Sequence, residues 1–73
     1  GDISVEMRVR DGYIDRVHVV EHDENVGVVE DAFDRLESNV IRKQSADVDT
    51  VSGATEASYG FLEAVRNCIR QAE

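Results

Sequence analysis

The dipeptide Asp11-Gly12 sits between two runs that favour extended chain, and this one feature constrains the fold more than any other. Ahead of it, Ile3, Val5, Met7 and Val9 alternate with Ser4, Glu6, Arg8 and Arg10, the period of two of a half-buried strand. Behind it, Tyr13 to Val20 resumes a β-branched pattern. Asp-Gly tolerates the positive φ angles of a tight two-residue turn, so the first twenty residues read as a β-hairpin. A hairpin alone is marginal in water, and the remaining chain must cover its apolar face.

The remainder carries the means to do so. Glu21 to Gly27 is polar and ends in glycine, which marks a loop. Val29, Ala32, Phe33, Leu36 and Val40 then recur at spacings of three and four, while Glu30, Asp31, Asp34 and Glu37 face elsewhere: an amphipathic helix. Its early acids and its closing Arg42-Lys43 suit the helix dipole. After a polar link from Gln44 to Asp47, Val48 to Val51 predicts a short third strand, ended by Ser52-Gly53. Phe61, Ala64, Val65, Cys68, Ile69 and Ala72 keep helical spacing to the end. The expected fold is α+β, a small antiparallel sheet (the hairpin plus a short third strand) covered on one face by two helices. No proline, repeat or low-complexity tract interrupts residues 1–73, so they read as a single domain. Gly1 stands directly before a strand, which suggests a piece excised from a larger protein.

Composition narrows the function. With 41% hydrophobic and 33% charged residues the chain has a globular composition, yet a domain of this size buries only about 60% of its unfolded surface. A single cysteine permits no internal disulfide, so a ligand bound only by the folded state would add needed stability. The formal charge of −8 repels nucleic acid and anionic membrane surfaces. No apolar run approaches the roughly 20 residues needed to cross a bilayer, and no signal peptide opens the chain, so direct membrane insertion is not expected.

No set of catalytic or metal-binding residues stands out. There are no paired carboxylates, no triad and no metal cluster at usable spacing. His18 and His22 fall on a strand end and a loop without a third ligand. Cys68 lies on the apolar face of the last helix, where a thiol packs as a small hydrophobe. The acids between Glu21 and Glu37 read first as a solvated helix face and second as a docking surface for a basic partner.

Ser52-Gly53-Ala54-Thr55 is different, because it stands where an extended segment gives way to a helix. Unpaired N–H groups and the positive end of the helix dipole favour an anion there. Gly53 and Ala54 let a phosphate approach the backbone, and Ser52, Thr55 and Ser58 add hydroxyl donors. The same residues are also compatible with an ordinary helix cap, since Ser and Thr before a helix are common N-caps.

The longer run Asp49-Thr50-Val51-Ser52-Gly53-Ala54-Thr55 resembles the flavinylation signature of the FMN-binding domain family: an aspartate, two variable positions, then Ser/Thr-Gly-Ala-Thr. That family includes the C subunit of the sodium-pumping NADH:quinone reductase and small domains fused to fumarate-reductase-like flavoproteins. The resemblance covers nearly the whole chain. His22-Asp23-Glu24-Asn25-Val26-Gly27 is similar to the family's His/Ser-x-Glu-Thr-x-Gly loop, and Gln44-Ser45 ahead of Val48-Asp49 recurs in its small-domain branch. Where the family commonly continues Ala-Thr-x-Thr-Ser, this chain has Ala57 at the second threonine; Asn25 and Val29 replace a common threonine and glycine.

The resemblance implies an electron-transfer domain whose cofactor is FMN, held covalently through Thr55 or non-covalently. It implies cofactor contacts from Asp49, Ser52, Gly53, Ala54, Thr55 and Ser58, and from Glu24, Asn25 and Gly27 of the loop. It also implies a flavin transferase that moves FMN from FAD to Thr55, neighbouring redox modules of a parent protein or complex, and an extracytoplasmic or membrane-associated setting through that parent. No side chain is expected to act as acid or base, and no activity is expected of the domain alone. The rival is a non-redox protein-interaction domain in which the segment only caps a helix.

Overall fold

A computed structural model of the chain describes residues 3–21 and 28–72. Strand β1 (Ser4–Arg10) and strand β2 (Tyr13–Glu21) pair antiparallel, helix α1 spans Val28–Lys43, and helix α2 spans Thr55–Ala72. Asp11 and Gly12 take φ angles of 53° and 78°, so both centre residues of the turn are left-handed, and Arg10 faces Tyr13. That is the type I′ geometry whose twist matches the flanking strands. The register shifts between Arg8 and Val9 and again between Ser4 and Val5. The first shift leaves Asp15 as an extra residue on β2, where its carboxylate takes the Arg8 Nε at 2.7 Å.

The two helices cover one face of the hairpin, α1 over β2 and α2 over β1. Ile14 and Val17 of β2, the α1 stripe Val29, Phe33, Leu36 and Val40, and Phe61, Leu62 and Val65 of α2 form the buried core. Phe33 and Phe61 stack across the helix pair with centroids 5.7 Å apart. The apolar periodicity of both helices is therefore the core face, with Leu62 and Ala57 joining it on α2. Val9, at the turn end of β1, is 45% exposed and stands beyond the reach of the helices.

The expected third strand is absent among the described residues, and the sheet has two strands. The reason lies at the outer edge of β2. There the Ile14 N–H donates to Gln44 Oε1 at 2.7 Å, and Gln44 Nε2 donates back to the Ile14 carbonyl at 2.9 Å. Three residues on, the Val17 N–H donates to Glu37 Oε2 at 2.7 Å. Side chains of α1 and its C-terminal turn thus take the Ile14 and Val17 positions at which a third strand would have paired. Glu37, expected to face away from the core, is drawn inward for this purpose. Gln44 holds φ at 56°, a left-handed angle that costs a non-glycine residue about 1–2 kcal/mol. Its three side-chain bonds, including one to the Ile41 carbonyl, offset that cost. Val48 and Val51 still pack against the core as half-buried side chains, from a segment without ladder bonds.

Candidate functional site

The segment between the helices is shaped by a turn. The Ala54 N–H donates to the Val51 carbonyl at 3.0 Å, and Gly53 inside the turn has φ 85°. A side chain at Gly53 would meet nothing within 4 Å, so glycine is required there by backbone angle, and the space in front of it is open.

Helix α2 begins at Thr55, which makes Ala54 its N-cap. Ala54 has no side-chain acceptor to offer. The first N–H groups of the helix, at Thr55, Glu56 and Ala57, have no partner within the helix. Among the described residues the Ser52 and Thr55 hydroxyls make no hydrogen bond, and both side chains are exposed. An anion placed here would meet free N–H groups, two free hydroxyls and the positive end of an 18-residue helix.

Ser58 differs from its expected place beside the ligand. It is fully enclosed; its hydroxyl accepts the Val51 N–H at 3.0 Å and spends its own hydrogen on the Ala54 carbonyl at 2.7 Å. It staples the turn onto the first turn of α2. Ala57 is likewise buried in the core, so this position points away from the open side.

The remaining expected residues divide. Ser52, Gly53 and Ala54 border an open depression of about 320 Å³, whose other wall is Asp31 and Arg35 of α1. Asp49 borders a separate one of about 490 Å³, with Asn39, Arg42 and Lys43. Residues 31, 35, 39 and 42 share one face of α1, so the segment from Asp47 to Ala54 runs beside that face with Asp49 near its C-terminal end. Lys43 Nζ donates to the Asp47 carbonyl at 2.6 Å, tying the two together. Glu24, Asn25 and Gly27 lie outside the described residues.

One residue near the segment was not among the expected contacts. Arg35 is the cation of the 320 Å³ depression, and its Nε lies 3.3 Å from Asp31 Oδ2. The spacing of 31, 35, 39 and 42 marks a polar helix face, but no local pattern says which segment lies against it. Tyr59 is 62% exposed one helical turn after Thr55, on the same side of α2.

These features define a class: a small α+β domain presenting an uncapped helix N-terminus behind a glycine turn. Residues 1–70 match the family model of the FMN-binding domain, and the chain belongs to that family, with FMN as its cofactor. It is 32% identical over 69 residues to a urocanate reductase of Eggerthella lenta, covering 94% of this chain and 11% of that protein. An uncharacterized protein of Treponema pallidum is 31% identical over 71 residues, 97% of this chain and 20% of its own length. An NADH:acrylate oxidoreductase of Vibrio harveyi is 29% identical over 69 residues, 94% of this chain and 7% of its own length. The chain thus spans from 7% to 20% of the length of these relatives. Among the described residues no helix is long and apolar enough to cross a membrane.

Proposed function

We propose that this domain is an electron relay of a larger flavoprotein, holding the FMN phosphate at the N-terminus of α2 and esterified to it through Thr55. The observation that carries the reading is the Thr55 hydroxyl, exposed and unbonded at a helix start whose cap residue is alanine. The N–H groups of Thr55 and Glu56 and the Ser52 hydroxyl are the donors for the phosphate oxygens. Gly53 keeps the backbone in the left-handed turn that opens this face, and Ser58 holds the turn from behind. Tyr59 offers an exposed ring beside the Thr55 position. Asp49 and the loop residues Glu24, Asn25 and Gly27 complete the proposed set.

The bound flavin supplies the redox chemistry, and the chain supplies placement and electrostatics. Thr55 Oγ would hold the group through a phosphoester, which a flavin transferase would form from FAD with AMP as leaving group and release of the hydroxyl proton. Electron donors and acceptors are then neighbouring modules of the parent protein, in an extracytoplasmic or membrane-associated setting. The two named reductases among the relatives, each far longer than this chain, support such a modular role.

A protein-interaction domain in which the segment only caps α2 would need a capping hydrogen bond. Neither the Ser52 nor the Thr55 hydroxyl makes one, and this favours the ligand reading.

Co-expression with a flavin transferase, followed by intact-mass measurement, tests the ester. The expected gain is FMN less one water, lost in Thr55→Ala. An unmodified mass beside an active transferase that loads a control domain would overturn it.

A further inference from the structure

A chain of charge −8 that binds a phosphate needs a cation close to it, since the global field opposes every anion. The eight cationic side chains are unevenly placed. Arg8 and Arg10 are engaged around Asp15 on the hairpin. Arg16 is on β2, and Arg66 and Arg70 lie in the later turns of α2. Arg42 and Lys43 border the depression at Asp49. Arg35 alone lines the depression formed with Ser52, Gly53 and Ala54.

Its present partner is weakly held. Arg35 and Asp31 are a single i,i+4 pair with side chains 66% and 69% exposed, a class of ion pair that contributes little because water and salt screen it. A guanidinium prefers a phosphate, which it can engage through two parallel N–H groups, over a solvated carboxylate 3.3 Å from its Nε. Asp31, on the same wall, repels an anion unless Arg35 answers its charge.

We propose that Arg35 is the phosphate-recognising side chain of this domain, exchanging Asp31 for the FMN phosphate, so that Asp31 acts as a competing anion that sets the affinity. Arg35 confers selectivity for the phosphorylated flavin over the same ring and ribityl chain without phosphate. This rests on the placement of the phosphate at the N-terminus of α2.

The test is binding of FMN and of riboflavin to the flavin-free domain, by quenching of flavin fluorescence, with thermal melts to verify folding. Arg35→Gln lies on an exposed face and is expected to fold. It should weaken FMN binding about ten- to hundredfold, the range for hydrogen bonds to charged groups, and leave riboflavin binding unchanged. Arg35→Lys should restore part of the preference, and Asp31→Asn should strengthen it. Gly53→Val separates the two levels of the argument by disrupting the turn itself. If Arg35→Gln keeps the FMN preference while Gly53→Val loses it, the Arg35 proposal is overturned and the placement at α2 stands. If both keep it, or if the unaltered domain shows no preference for FMN, the Arg35 proposal is overturned, while the placement at α2 is decided separately by the Thr55-dependent mass gain.

Discussion

The Ser58 hydroxyl accepts the Val51 N–H at 3.0 Å from a fully enclosed position seven residues later in the chain. With its own hydrogen on the Ala54 carbonyl, one side chain fixes both ends of the turn that exposes Gly53. Ser58→Ala leaves the half-buried Val51 N–H without a partner, which costs about 1–3 kcal/mol. At this size each kcal/mol moves Tm by about 4–8 °C. Urea unfolding should register the loss, and FMN retention should fall with it although Ser58 faces away from the open side. Unchanged stability would mean that the hydroxyl is not holding the turn.

Gly53 offers a cleaner separation of backbone from sterics. Nothing lies within 4 Å of the position a Cβ would take, yet φ is 85°. Gly53→Ala should therefore destabilise by about 1–2 kcal/mol through conformation alone. Gly53→Asn should cost less, because asparagine tolerates the left-handed region. Denaturant midpoints of the two variants decide the matter; equal losses would point to a contact in place of an angle.

The Asp15 carboxyl is held below the usual carboxylate range chiefly by its hydrogen bond from Arg8, with the Arg8 and Arg10 charges adding to it against some desolvation. A folded-state pKa below the unfolded value, about 3.9, contributes stability that is fully present above that value and is lost as pH falls through the folded pKa. Asp15→Asn should thus reduce stability at neutral pH. The gap to the unaltered domain should close on acidification below about pH 4 and narrow in high salt. Chemical unfolding at several pH values measures it, and a gap independent of pH would exclude this ion pair as its source.

The hairpin and both helices were legible because their signals are local. Asp11-Gly12 carries its own turn geometry, the alternation of Ile3, Val5 and Met7 sets the face of a strand, and the spacing from Val29 to Val40 sets the face of a helix. The missing third strand was not legible. Val48 to Val51 has strand-like residues, but whether they pair depends on the free edge of β2, and that edge is met by Gln44 and Glu37 from 30 and 20 residues away. Family membership could likewise be recognised in the run from Asp49 to Thr55, a contiguous pattern that needs no fold to be seen.

By itself, then, the sequence determined the hairpin, the two helices, their apolar faces and the cofactor family, since each is written in residue type and short-range spacing. Only the tertiary structure decided that Ser58 turns inward, that Ala54 leaves α2 uncapped, and that Arg35 of one helix lines the depression beside the Gly53 turn. Those relations depend on how α1 and α2 dock across the hairpin, and docking follows from the packing of Phe33 on Phe61 and of Leu36, Val40 and Val65 in one core. Contacts between distant segments have no signature in the local chain, because the free energy that selects them is released only when the whole core closes.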